Sequence, residues 1–214
     1  MHINSRRKQK FERVVAARQH NLTVILENVH DQHNIGAVLR SCDAVGIYEI
    51  FVLFTEEGLD RNKIQLGKKS SGGARKWVDV HFYTDAEACF QHVKSKYDKI
   101  WGTHLGESSK SIYQLNLTTS IALMFGNERD GLSDIALQYA DGNFIVPQMG
   151  MAESLNISVA CAVSLYEAFR QRNEKGWYSE NNPFPQNEQK ALLDIYLDRH
   201  DARTSPTHSD KIEP

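Results

Sequence analysis

The sequence predicts an α/β protein with a parallel sheet covered by helices on both faces, and three observations lead there. Short runs that are apolar almost throughout recur along the chain: 22–29 (LTVILENV), 49–54 (EIFVLF), 99–105 (KIWGTHL), 120–126 (SIALMFG) and 142–147 (GNFIVP). These runs alternate with segments of helical periodicity. Their junctions carry Gly, Asn, Ser and Pro, the residues of turns and caps. Strands buried on both faces lose the polar–apolar alternation of half-exposed ones, and alternation with helices implies parallel crossovers.

Taken in order, residues 5–19 read as an added N-terminal helix, and 34–46 (NIGAVLRSCDAVG) as a helix capped by Asn34 and closed by Gly46. Residues 85–96 form the next helix, and 133–140 a short one with Ser133 as N-cap. Residues 154–172 (SLNISVACAVSLYEAFRQR) form the last long helix, with Leu155, Val159, Ala162, Tyr166 and Phe169 on one side and Ile157, Cys161, Leu165 and Ala168 on the other. A helix apolar on both sides packs on both sides, against the sheet and against a partner; dimerisation explains this most economically, although a thick domain core would also serve. Beyond Gly176 the pattern allows one more helix, 187–200, and then a polar tail expected to be disordered.

At 214 residues, with 41% hydrophobic and 24% charged residues, the chain is sized for one domain with terminal additions. No signal peptide and no membrane span is expected. Three widely spaced cysteines, Cys42, Cys89 and Cys161, suggest a reduced, cytoplasmic setting, and neither they nor the nine histidines suggest a metal site. The net charge of −2 conceals segregation. Residues 1–18 carry Arg6, Arg7, Lys8, Lys10, Arg13 and Arg18 against Glu12 alone, and 61–78 carry Arg61, Lys63, Lys68, Lys69, Arg75 and Lys76 with no acid. Positive surface on an acidic body suits a partner rich in phosphate, although basic runs are more often simply solvated.

Candidate chemistry gathers where strands end. Asn34 and Arg40 follow the first strand, Arg40 opposite the helix's apolar face with a fork suited to phosphate. The loop FGNERDGLS (125–133) crowds Asn127, Glu128 and Arg129 at a strand mouth. VPQMGM (146–151) is a loop of methionine, glycine and bare backbone, and THLGES (103–108) ends another strand. Ligands of open α/β sheets lie at such ends, and a flat apolar ligand with polar edges fits these loops. No GxGxxG fingerprint follows a strand.

Together ENVHDQHNIGAVLRSCDAVG, LMFGNERDGLS and IVPQMGMAESLNISVACAVSLYEAFRQR resemble the SpoU/TrmH family of RNA 2′-O-ribose methyltransferases over residues 13–178, nearest the branch that modifies the D-loop guanosine at tRNA position 18. The resemblance implies a methyltransferase domain over 21–175 with a deep trefoil knot near 120–172, between a basic helical extension (1–20) and a partly helical one (176–214). It also implies an obligate homodimer. S-adenosylmethionine would lie in the knotted loops against Thr103, Gly126, Val146 and Leu155, covering the apolar PQMGM loop. Arg40, Asn34, Glu128, Ser154 and Asn156 match the family's catalytic positions, with Ser154 and Asn156 facing Arg40 across the dimer. Arg7, Lys10, Arg13, Arg18, Lys69 and Arg75 are the RNA-binding candidates. Two features depart from the pattern: Asp31 stands where close relatives carry a base, and the C-terminal segment is acidic at Asp198, Asp201, Asp210 and Glu213. The alternatives are ribosomal RNA or another tRNA nucleotide as target, or a non-catalytic RNA-binding protein that retains the fold.

Overall fold

The computed structural model describes residues 4–56, 71–152, 154–179 and 181–201. The expected tail, and the basic residues 61–70 including Lys69, lie outside the described residues. The elements in order are α1 (Ser5–Ala16), β1 (Leu22–Glu27), α2 (Gln32–Ala44), β2 (Glu49–Leu53), β3 (Asp79–Tyr83), α3 (Ala86–Lys96), β4 (Lys99–Thr103), β5 (Lys110–Ser111), β6 (Ile121–Phe125), α4 (Asp134–Gln138), β7 (Gly142–Ile145), α5 (Ile157–Glu174) and α6 (Gln186–Asp201).

All strand pairings are parallel, and the sheet order is β3-β2-β1-β6-β4-β7-β5. β1, β2 and β6 are buried along their whole length, which is why they read as continuous apolar runs. Successive side chains alternate between two cores. Leu22, Val24 and Leu26 pack with Val38, Leu39, Cys161 and Leu165, so α2 and α5 cover one face. Ile25, Phe51 and Met124 pack with Phe90, Val93 and Ala136, so α3 and α4 cover the other. β3 and β5 are additions to the predicted strands. β3 is an edge strand only partly buried, and β5 is two residues long, so neither shows an apolar run.

Two helix starts differ from expectation. Asp31, not Asn34, caps α2, its carboxylate accepting from the His33 amide at 2.8 Å, and this places Asn34 inside the first turn. The departure at Asp31 thus has a local structural use. α5 begins at Ile157 with Asn156 as its cap, which leaves Ser154 and Leu155 in the preceding loop.

The chain's ends pack on each other: Phe11 and Val15 of α1 share a small core with Phe184, Leu192 and Tyr196 beside Trp77. Arg18 is corrected from the RNA-binding candidates. It is 1% exposed and bonded to Asp43 Oδ1 at 2.6 Å and to the carbonyls of Asp43 and Ile47, so no part of it is offered to a partner.

Two buried ionic groups organise the amino-terminal edge of the sheet. Arg172, near the end of α5, is 0% exposed. Its Nε donates to the Leu117 carbonyl at 2.8 Å, Nη1 to Asn21 Oδ1 at 2.5 Å and Gln19 Oε1 at 3.2 Å, and Nη2 to the carbonyls of Thr119 at 2.9 Å and Asn21 at 3.1 Å. The side chain's full donor set is met by these neutral acceptors. Burial lowers its pKa to about 10. Glu49, at the start of β2, is buried against His81 (3.0 Å), Lys96 (2.8 Å) and the Tyr97 hydroxyl (2.9 Å). Burial raises its carboxyl, but the hydrogen bonds and charges of His81 and Lys96 outweigh it and hold the pKa at about 2.

Arg172→Met is expected to lower unfolding free energy in urea melts by about 3 kcal/mol or more, since several buried acceptors lose their donor together. Arg172→Lys should not restore it, because one ammonium cannot span that acceptor fan. For Glu49 the folded pKa lies below the unfolded one. Its stabilisation is therefore complete above about pH 4.5 and fades as pH falls toward 2. Across that window the parent should lose about 3 kcal/mol more stability than Glu49→Gln in parallel urea titrations.

Candidate active site at the carboxyl ends of the strands

The predicted cofactor residues, with Glu128, Ser154 and Asn156, stand at or just after the ends of β4, β6 and β7, and Asn34 stands in the first turn of α2 after β1, all on the carboxyl edge of the sheet. Parallel strands present their ends on one edge, so residues far apart in sequence converge there. The loop after β6 is the tightest. Asn127 and Gly131 exchange backbone hydrogen bonds at 3.1 Å in both directions, and Gly131 takes φ +71°. A Cβ on Gly126 would stand 2.0 Å from the backbone of Gly131, so only glycine fits. The Asn127 side chain accepts from the amides of Arg129 and Asp130 at 2.9 and 2.7 Å. The loop's far end is tied to β1, where the buried Glu27 carboxylate accepts from the Ser133 amide at 2.9 Å and from its hydroxyl. This bracing holds Glu128 upright at the tip.

Beside this loop lies a cavity of about 410 Å³. All four predicted cofactor residues line it: Thr103 ends β4, Gly126 follows β6, Val146 follows β7, and Leu155 precedes α5. Phe144, Leu132 and Ile157 add apolar wall, and Glu128 and Ser154 stand on its lining too. The volume falls in the range of small-molecule pockets, roughly 300–1,000 Å³, with an apolar body and a few polar groups. That chemistry fits S-adenosylmethionine, whose adenosyl part is flat and apolar. The VPQMGM loop contributes Val146 and Gln148 to the wall, whereas Met149 and Met151 are 95% and 100% exposed outside it.

Three catalytic candidates are joined directly. Asn34 Nδ2 donates to Glu128 Oε1, and Asn156 Nδ2 donates to Asn34 Oδ1 at 3.2 Å. Asn156 also caps α5, accepting from the Ser158 amide at 2.9 Å. One chain of amides thus links α2, the β6 loop and the start of α5. Arg40 stands apart. It is exposed on α2, and no hydrogen bond joins it to Ser154, Asn156 or any other described residue.

Among the RNA-binding candidates, Arg7, Lys10 and Arg13 are exposed on α1 and line a groove of about 940 Å³ with Arg6 and Trp77, while Arg75 sits half-buried in a 3-10 turn at Ala74–Lys76. Sequence reasoning missed Glu56, which receives Asn127 Nδ2 at 3.3 Å and pairs with His30 at 2.9 Å, tying three strand ends together. No spacing in the sequence signals that contact. Among the described residues, no group of three or more His, Cys, Asp or Glu is placed to hold a metal, and no helix is long and apolar enough to cross a membrane.

The family model for the SpoU rRNA methylases matches residues 21–166, which spans the sheet, the cavity and the amide chain. The protein belongs to that family. Over 188 residues it is 39% identical to a tRNA (guanosine(18)-2′-O)-methyltransferase of Thermus thermophilus, covering 88% of this chain and 94% of that one. In structure it is similar to the TrmH/SpoU tRNA modifying enzyme of A. aeolicus, with a TM-score of 0.78 at 32% identity over 90% of this chain and 96% of the other. It is also similar to the SpoU methyltransferase AviRb of Streptomyces viridochromogenes, solved in complex with AdoMet, with a TM-score of 0.63 at 26% identity over 73% of this chain and 62% of that one. As a SpoU methylase it is a ribose methyltransferase that uses S-adenosylmethionine.

Proposed function

We propose that the protein methylates the 2′-hydroxyl of the D-loop guanosine at position 18 of tRNA. The observation that carries this reading is the cavity lined by Thr103, Gly126, Val146 and Leu155, set against the Asn34–Glu128–Asn156 chain, in a protein whose Thermus relative of that name aligns over nearly its whole length. S-adenosylmethionine would supply an activated sulfonium methyl group: in an in-line displacement the ribose 2′-oxygen forms the O–CH3 bond as the S–CH3 bond breaks, S-adenosylhomocysteine leaves, and the hydroxyl proton passes to water. Because the methyl is already activated, the protein's own work is mainly positioning. Asn34 and Glu128 fix each other at the cavity's edge. Arg40 offers a guanidinium fork that suits it to clamp a phosphate and to stabilise the developing alkoxide.

The reading includes a homodimer. On α5, Val159 and Tyr166 are 46% and 54% exposed, so the second apolar side predicted from the sequence is uncovered in one protomer. A second copy would cover it and bring Ser154 and Asn156 opposite its own Arg40. The reading also includes the trefoil knot over 120–172, the methyltransferase domain over 21–175 between extensions 1–20 and 176–214, and a cytoplasmic setting. The free, buried Cys42, Cys89 and Cys161 support that setting. Arg7, Lys10, Arg13, Lys69 and Arg75 are assigned to the RNA backbone. A ribosomal target is the second reading, favoured by the description of the matching family.

Incubated with labelled S-adenosylmethionine and unmodified tRNA, the parent is expected to place label on the D-loop guanosine ribose, and Arg40→Ala to lose it by about 100-fold or more. Label on ribosomal RNA alone would establish the second reading. Replacing Arg7, Lys10 and Arg13 by Gln should weaken tRNA binding and lower the slope of log K against log salt by about 2 to 3. Unchanged affinity at every salt concentration would remove α1 from the RNA surface.

A further inference from the structure

We infer that Gly72 is a positioning residue for Arg40: the bare α-carbon of Gly72 is the platform across which the arginine side chain lies. The inference rests on the catalytic role proposed for Arg40. A Cβ built on Gly72 would stand 3.2 Å from Arg40 Nε, 3.3 Å from its Cδ and 3.6 Å from its Cζ. The last carbon and the guanidinium of Arg40 thus lie beside the space that a side chain on Gly72 would take. Among the described residues the Arg40 side chain makes no hydrogen bond or ion pair, and its relation to the Gly72 turn is one of close approach.

The backbone on both sides of the contact is anchored, and only the end of the Arg40 side chain can yield. The turn is anchored on both flanks, with Ser71 at 0% and Ala74 at 4% exposure, and the Ala74 amide donates to the Ser71 carbonyl at 2.9 Å. The helix beneath Arg40 is fixed by Val38, Leu39 and Cys42, all fully buried. An added side chain at position 72 must be absorbed by the one movable part, the end of Arg40. Gly73 provides an internal control. Both glycines hold positive φ, +54° at Gly72 and +86° at Gly73, so a substitution strains the backbone at either. Yet a Cβ on Gly73 would meet nothing within 4 Å. Position 73 reports strain alone, whereas position 72 reports strain plus displacement of Arg40.

The test compares Gly72→Ala, Gly72→Asn and Gly73→Asn, since asparagine tolerates the left-handed region best among residues with a side chain. Single-turnover methyl transfer to tRNA at saturating S-adenosylmethionine should fall about 100-fold in Gly72→Asn, less in Gly72→Ala, and by no more than about threefold in Gly73→Asn. Affinity for S-adenosylmethionine and melting temperature should match between the two asparagine variants. In an Arg40→Ala background, Gly72→Asn should add no further loss. The Arg40 Nε–H resonance, followed by NMR independently of activity, should shift in Gly72→Asn and hold still in Gly73→Asn. Equal losses at both positions, full additivity with Arg40→Ala, or an unmoved Arg40 resonance would each overturn the inference. A parent that methylates no RNA, with the resonance still moved by Gly72→Asn, would instead refute the proposed function and leave the placement of Arg40 by Gly72 standing.

Discussion

The structure hangs on the way Arg172 closes the amino-terminal edge of the sheet. Its guanidinium gathers the segments just before β1 (Gln19, Asn21) and before β6 (Leu117, Thr119) onto the end of α5. A charge buried without a carboxylate is tolerable only when every donor finds an acceptor, and here each one does. The arrangement couples its parts, because the acceptors come from two segments, 19–21 and 117–119, and the same planar group holds both.

That clamp has consequences at the other edge of the sheet. α5 runs 18 residues, and the stretch from Arg172 below to its cap Asn156 above spans roughly 24 Å at the rise of an α-helix. Pinning the lower end fixes where Asn156 meets Asn34, and through Asn34 where Glu128 stands beside the cavity. The helix is a strut that transmits the position of a buried arginine to the mouth of the site. The β6 loop is braced separately, by the Asn127–Gly131 turn and by the Glu27–Ser133 contact. Two independent supports thus converge on one carboxylate.

The site divides into two groups of residues. The cavity adjoins the linked side chains of Asn34, Glu128 and Asn156. Arg40 lies apart from both, exposed on α2 and resting on the turn of Ser71 to Ala74. Among the described residues no carboxylate pairs with it, and an unpaired guanidinium keeps its electrostatic capacity for a phosphate.

The sequence by itself determined the fold class, the helices and most of the sheet through local physics: continuous apolar runs for the buried strands β1, β2 and β6, and helical periodicity for α5. The cavity wall was named by the resemblance of the loop motifs to a known family. The uncovered stripe of Val159 and Tyr166 was equally legible, because a helix records every face it must bury. Tertiary structure alone decided what depends on neighbours distant in sequence. Arg18 reads as one more base in a basic run, yet Asp43 and Ile47 bury it. Arg172 reads as a surface residue at a helix end, and becomes the clamp only because two loops fold over it. Asn34 resembles a cap until Asp31 takes that place and frees it for Glu128. Gly72 reads as turn chemistry, and its contact with Arg40 exists only once α2 and that turn pack side by side. Periodicity and spacing report what a residue needs from its own element, whereas an ion pair or a close approach is fixed by which elements the sheet order brings together.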